Sequence, residues 1–336
     1  MKLVSYLNGG REQLGILLYD EVFTPGSLNP EIPETMKEFL QDWDRHIHLT
    51  KTVEKIIKTN PDFQKSGIPL KAIELLAPVP RPGSLRDGYA FRQHVETARR
   101  NRGLDMIAAF DEFPVFYFGN HRTVTGPGVI VCMADHFHSL DFELEVAAVI
   151  CRLGKNIRAA DADSYIGGLM ILNDFSARRL QMEEMQLSLG PAKGKDFATA
   201  TGPWLVTLDE LEPFVCPPAP GHTGKNWDLQ MSARVNKKKK SAGKLSDMQW
   251  TFAELIERAS YGVDLYPGDI IGSGTVGTGC HLELNGTGKI LDPHFNPEWL
   301  LAGDEMELEV EGLGILQNII GDSEEDYSLF ALKKIP

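Results

Sequence analysis

Apolar and polar positions follow different rhythms in different parts of this chain. Over residues 2–24 two short apolar runs flank Asn8-Gly9-Gly10, the turn chemistry of a β-hairpin. Over residues 34–60 the spacing becomes helical, with Phe39, Trp43, Ile47, Val53, Ile56 and Ile57 on the apolar positions and Pro61 as the stop. Residues 69–82 are rich in proline (Ala77-Pro78-Val79-Pro80-Arg81-Pro82), which favours an extended connector. The pattern therefore predicts a small N-terminal domain of hairpin plus helix over 1–75 and a larger domain over 76–336. In the larger part the rhythm predicts strands over 114–118, 128–132, 143–150, 168–174, 204–208, 228–235, 269–274 and 305–310. Helices are predicted over 160–166, 178–187 and 252–261. Strands outnumber helices and no regular βαβ alternation is present, so the expected class is β-rich α+β, not a doubly wound sheet.

One predicted strand carries an anomaly. Asp141-Phe142-Glu143-Leu144-Glu145 leads straight into Val146-Ala147-Ala148-Val149-Ile150, an apolar, β-branched run that reads as buried. Residues i and i+2 of a strand point to one face, so Glu143 and Glu145 aim together, roughly 7 Å apart. Two carboxylates entering a core together are costly without a cation between them. The strand is thus a candidate wall of a divalent metal site.

Composition narrows the setting. The 336 residues carry a net charge of −13, which argues against a nucleic-acid partner. The one basic run, Lys237 to Lys240, follows Ala233-Arg234-Val235-Asn236 and reads as a charged hairpin turn. Cys132, Cys151, Cys216 and Cys280 show no CxxC spacing, hence no zinc signature and a fit to a reducing compartment. No signal-peptide core or membrane-spanning stretch stands out, so a cytoplasmic location with no membrane partner is expected.

Further residues have chemistry to offer, each with a plainer alternative. Asp174 ends the predicted strand and could equally cap the helix that follows. Asp87 could be a cap or turn residue, and His94 stands at i+7 from it, on the same face if the segment is helical. Lys195 lies in Gly190-Pro191-Ala192-Lys193-Gly194-Lys195, which lacks the phosphate-loop pattern. The glycines of Gly272-Ser273-Gly274-Thr275 could cradle an anion or simply turn the chain. Glu283 falls in His281-Leu282-Glu283-Leu284, an alternating pattern that reads as a strand with Glu283 facing solvent.

Taken in order, these pieces resemble the fumarylacetoacetate hydrolase family. The matching stretches are Asp87-x-Tyr89-x4-His94, Asp141-Phe142-Glu143-Leu144-Glu145, Asn173-Asp174-Phe175-Ser176-Ala177-Arg178-x2-Gln181, Gly190-Pro191-x2-Gly194-Lys195, Ser273-Gly274-Thr275 and Leu282-Glu283-Leu284, within residues 80–320. The resemblance implies the mixed β-sandwich/β-roll of that family's C-terminal domain behind a small α+β domain. It implies a metal site of Asp87, Glu143, Glu145 and Asp174, with Lys195 and Thr199 beside it. Such an all-oxygen set suits Mg²⁺ or Ca²⁺, with Mn²⁺ as a further fit, and not Zn²⁺.

The fumarylacetoacetase branch implies a His94–Glu283 pair, with His94 as general base on water and Glu283 orienting it. Arg178, Gln181 and Lys195 would hold negative oxygens, and Tyr89, Tyr117 and Thr275 would touch substrate. The implied activity is hydrolysis of a C–C bond in a fumarylacetoacetate- or acylpyruvate-like keto acid, as in aromatic amino acid catabolism, by a homodimer. The alternative is a 2-keto-acid dehydratase, isomerase or decarboxylase at the same metal. A metal-binding scaffold without catalysis predicts a missing base or ligand, and none is missing. The chain departs from that branch at Met185, where a tyrosine is expected, and by one residue inserted before Lys195. Arg99, Arg100 and Arg102 all compete for one family arginine.

Overall fold

The computed structural model describes residues 1–334. Its centre is a mixed sheet whose main path runs Ile68–Pro69, Glu21–Phe23, Arg11–Leu18, Lys2–Asn8, Thr199–Thr207, Ile166–Asp174, Leu144–Ile150, Ile270–Gly272, Leu85–Gly88 and Phe116–Gly119. Ile270–Gly272 and Leu85–Gly88 pair parallel, and the other neighbours on this path pair antiparallel. A second sheet of five strands runs Lys238–Lys244, Gln230–Val235, Glu305–Val310, Gly314–Asp322 and Gly128–Cys132. The fold is the β-rich mixed class that the sequence predicts.

Three layers explain why the central strands read as unbroken apolar runs. Val146, Ala148 and Ile150 share a core with Met231, Ala233, Leu308 and Leu316 of the second sheet and with the helix Phe252–Ser260. Ala147 and Val149, pointing the other way, pack with Leu3, Leu14, Phe39, Trp43, Val53 and Ile57 of the N-terminal segment. A strand covered on both faces has no polar face to show. The first 75 residues are therefore tied into the large sheet. Lys2 and Leu3 pair with Val206 and Leu205, so the sheet crosses the proline-rich connector without a break.

Several expectations need correction. The helix over 34–60 is two helices, Met36–Gln41 and Trp43–Thr59, interrupted at Asp42. The helix over 160–166 shrinks to Ala159–Ala162 and a single 3₁₀ turn, because Ile166 already starts a central strand. Lys237 does sit in a hairpin turn, with positive φ at Asn236 and Lys237, but Lys238–Lys244 is a strand. Strands Leu85–Gly88 and Gly314–Asp322 lacked a legible pattern. His281–Leu291 is a helix, not a strand, so Glu283 points inward and not to solvent. No helix among the described residues is long and apolar enough to cross a membrane.

Candidate active site

Three strands of the central sheet, two of them neighbours and the third beyond one intervening strand, deliver four carboxylates to one point. Leu144–Ile150 brings Glu145 and, just before it, Glu143. Its neighbour Ile166–Asp174 brings Asp174 at its end, with Leu144 opposite Asn173. Leu85–Gly88 brings Asp87, which stands beside Gly272. Asp87 is thus a strand residue, and the helix that holds His94 begins only at Arg92, so the shared helical face expected from i+7 does not exist. Two glycines make room for Asp87. A Cβ on Gly272 would lie 2.2 Å from Asp87 Oδ1, and Gly274, at φ 78°, donates its N–H to that oxygen at 3.1 Å.

Oxygens of Asp87, Glu143, Glu145 and Asp174 all lie within 4.8 Å of one another, and all four residues are buried. Both oxygens of Glu143 have a cationic partner. Arg178 Nη2 donates to its Oε1 at 2.7 Å and Lys195 Nζ donates to its Oε2. Asp174 Oδ2 accepts from Lys195 Nζ at 2.6 Å and from the Tyr117 hydroxyl at 2.5 Å. Glu145 Oε1 accepts from Thr275 Oγ1 at 3.2 Å. Glu145 Oε2 and Asp174 Oδ1 are buried with no partner at all.

The electrostatics show where positive charge is short. Burial opposes ionisation of Glu143, but Lys195 and Arg178 outweigh it and hold the carboxyl below the usual range. Burial and the charge of Asp174 push Asp87 up to about 7. Burial, with Asp87 and Glu143 alongside, drives Glu145 well above the ordinary carboxyl value. For Lys195, burial pulls down but Asp174 and Glu143 pull harder, so the ammonium is held. One ammonium and one guanidinium on the Glu143 side leave Asp87 and Glu145 uncompensated. The orphaned oxygens and the all-oxygen donor set fit a hard divalent cation, which Asp87, Glu143, Glu145 and Asp174 would hold. Thr199 stands one strand away, paired with Asp174.

A second cluster faces the same space. His94, on the helix Arg92–Arg100, bonds through Nδ1 to Glu283 Oε2 at 2.7 Å, and both residues are buried. Tyr89 packs edge-on to the His94 ring, centroids 5.8 Å apart. Asn101, just past the His94 helix, donates to the Glu283 carbonyl at 3.0 Å.

Asp141, which the sequence reading passed over, locks this cluster to the cage. It accepts from the backbone N–H of Phe142, His281 and Leu282 at 2.9, 2.7 and 2.9 Å, and from Arg178 Nε at 2.8 Å. One carboxylate thereby caps the helix that carries Glu283 and aims the guanidinium that reaches Glu143. Asp141→Asn keeps the shape but loses the charge and one acceptor. It should lower the unfolding free energy by about 1–3 kcal/mol, read by denaturant titration. An unchanged midpoint would show that the cap is dispensable.

A cavity of about 530 Å³ joins the two clusters. Asp87, Glu143, His94, Lys195, Arg178, Gln181, Tyr89, Tyr117 and Thr275 all line it. Arg102 alone of the three competing arginines reaches it, while Arg99 donates to the Asp105 carbonyl. Met185 lines it where the tyrosine was expected, and Lys289, which no sequence pattern marked, adds a second cation to the wall.

The model of the fumarylacetoacetate (FAA) hydrolase C-terminal family matches residues 84–320. The chain is 30% identical over 296 residues to the oxaloacetate tautomerase YisK of Bacillus subtilis (strain 168), covering 86% of this chain and 87% of that protein. It is 30% identical over 301 residues to the fumarylacetoacetase of Oryza sativa subsp. japonica, covering 76% and 70%. Among solved structures, maleylpyruvate hydrolase from Sphingobium sp. SYK-6, in complex with manganese(II) ion and pyruvate, superposes with a TM-score of 0.69 at 20% identity. That match covers 96% of this chain and 100% of that one. At such identity the likeness is one of fold.

Proposed function

The chain belongs to the fumarylacetoacetate hydrolase family, whose members here include hydrolases, isomerases and tautomerases, and we propose that it hydrolyses a C–C bond in a 1,3-dicarbonyl acid. The observation that carries this reading is the buried His94–Glu283 pair, with His94 on the wall of the cavity that Asp87 and Glu143 of the carboxylate cage also line.

Glu283 accepts the Nδ1 proton of His94 and so leaves Nε2 as the basic nitrogen. His94 takes a proton from water, and Glu283 stabilises the imidazolium that results. Hydroxide adds to one carbonyl, the C–C bond breaks, and the electron pair departs as an enolate. The same imidazolium returns its proton to the carbon. A divalent cation in the cage would polarise the carbonyl oxygens as a Lewis acid. Burial pushes the Tyr89 hydroxyl up to about 12, so it stays protonated and able to donate to a developing oxyanion. Arg102 and Lys289, which also line the cavity, suit a second carboxylate on the substrate.

A second reading is keto–enol tautomerisation of oxaloacetate. The match to the Bacillus subtilis tautomerase favours it, because it spans more of both chains than the match to the rice hydrolase. His94 would then shuttle a proton between carbon and oxygen without attack by water. Assays with Mg²⁺ or Mn²⁺ on fumarylacetoacetate, acylpyruvates, oxaloacetate and 2-keto-3-deoxy sugar acids separate these readings. Hydrolysis releases two acids from one substrate. Enol–keto equilibration of oxaloacetate, with every 1,3-dicarbonyl acid left intact, would overturn the first reading.

A further inference from the structure

The cage is not the one place where ligand atoms converge. His94, Cys280 and Glu283 each offer one donor atom, and the three atoms lie within 4.8 Å of one another. All three residues are buried, Cys280 completely. The chain builds this triangle locally. Cys280 is the N-cap of the helix His281–Leu291 and Glu283 is its third residue, so both face the start of that helix. His94 closes the triangle from the opposing helix through its 2.7 Å bond to Glu283. The His94 ring also lines the 530 Å³ cavity, which gives an ion a way in.

The donor set is one imidazole nitrogen, one thiolate sulfur and one carboxylate oxygen. That is the opposite chemistry from the cage. Thiolate and imidazole select a borderline-soft ion, while an all-oxygen set selects a hard one. Three such protein ligands match the habit of zinc, and His94, the one that lines the cavity, gives it a side from which a fourth ligand can come. We propose that His94, Cys280 and Glu283 form a second cation site, selective for Zn²⁺ over Mg²⁺, and that filling it switches the enzyme off. The ion would take the place of the Nδ1 proton between His94 and Glu283, which moves to Nε2 as the ring changes tautomer, and of the thiol proton of Cys280, which leaves to solvent. With Nδ1 bound to the ion and Nε2 carrying the proton, His94 cannot accept a proton from water. The switching half rests on the His94–Glu283 reading above; the site itself does not.

The test uses the full chain loaded with Mg²⁺. Cd²⁺ serves as a spectroscopic stand-in for Zn²⁺, because a cadmium–thiolate bond absorbs in the ultraviolet. Wild type should show that charge-transfer band, and Cys280→Ser should lose it while Cys132, Cys151 and Cys216 remain. Serine is a good N-cap and close in size, and Cys280→Ala supplies a second variant should the first fold poorly. Zn²⁺ should inhibit the wild type, and each Cys280 variant, scored against its own uninhibited rate, should need about 10-fold more Zn²⁺ or higher. No band in wild type, or a band and an inhibition constant that both survive loss of Cys280, would overturn the site. A Cys280-dependent band with turnover unaffected would keep the site and overturn the switch, while the part of His94 in the reaction is read separately from the turnover of His94→Ala.

Discussion

His94→Ala is expected to cut turnover by about 10²–10⁴-fold, the usual worth of a positioned general base. The loss should appear in kcat, with divalent-ion affinity nearly intact, because the four cage carboxylates keep their own partners: Arg178, Lys195, Tyr117, Thr275 and the Gly274 N–H. The substitution also strands the Glu283 carboxylate in a buried position, at a cost of about 1–3 kcal/mol in stability. That cost gives a way to separate catalysis from folding. Adding Glu283→Gln to His94→Ala should restore much of the stability and none of the rate. Steady-state kinetics with Mg²⁺, calorimetric titration of the metal and denaturant unfolding of both variants read the three quantities. Wild-type turnover in His94→Ala would remove the base from the mechanism. Recovery of rate in the double variant would show that the single variant had merely been misfolded.

The second large effect is expected from Glu145→Gln. Glu145 is poorly served by protein partners: one oxygen accepts a single hydroxyl bond and the other, buried, accepts none. A buried carboxylate in that position resists ionisation, as its strongly raised pKa records. Glutamine matches its size and removes the unfavourable charge. The metal-free variant should therefore be as stable as the metal-free wild type, or more so. Its divalent-ion affinity should nevertheless fall by about 100-fold or more, since losing an outer partner alone costs 10–100-fold. A cation bound at 100 times its Kd adds about 2.7 kcal/mol to the stability of wild type, so chelation should lower the melting temperature of wild type and leave that of the variant nearly unmoved. Equal metal affinity in the two proteins would take Glu145 out of the site. A structural ion pair predicts the reverse pattern, with loss of stability in the absence of metal.

Much of the cage was legible in the sequence because strand periodicity is a local signal. Glu143 and Glu145 fall before and within an apolar, β-branched run that reads as a buried strand, and their i, i+2 spacing alone puts them on one face. Asp174 at the end of a second such run follows the same logic. Asp87 and Glu283 were found through motif likeness and placed on the wrong elements. The segment Leu85–Gly88 has too few residues for a rhythm to show, and its strand exists because Ile270–Gly272 offers it a parallel partner. The helix His281–Leu291 contains two glycines and an asparagine, poor helix formers that local propensity places elsewhere. What rescues it is long-range: Asp141, 140 residues upstream of His281, caps its first turn. Asp141, Asn101 and Lys289 escaped for the same reason, since each acts across a separation that no window along the chain spans.

The pairing of Lys2–Asn8 with Thr199–Thr207 has a temporal side. The first strand leaves the ribosome nearly the whole length of the sheet ahead of its partner. At ordinary rates of synthesis about 10–40 s pass between the two. Arg11–Leu18 can cover one edge of the early strand at once, through the hairpin. On the other edge Leu75 and Glu74 reach Tyr6 and Leu7 early, but Lys2 and Leu3 await Val206 and Leu205 throughout that interval. The margin at Lys2 and Leu3 thus stays open during synthesis until Thr199–Thr207 arrives to hide it.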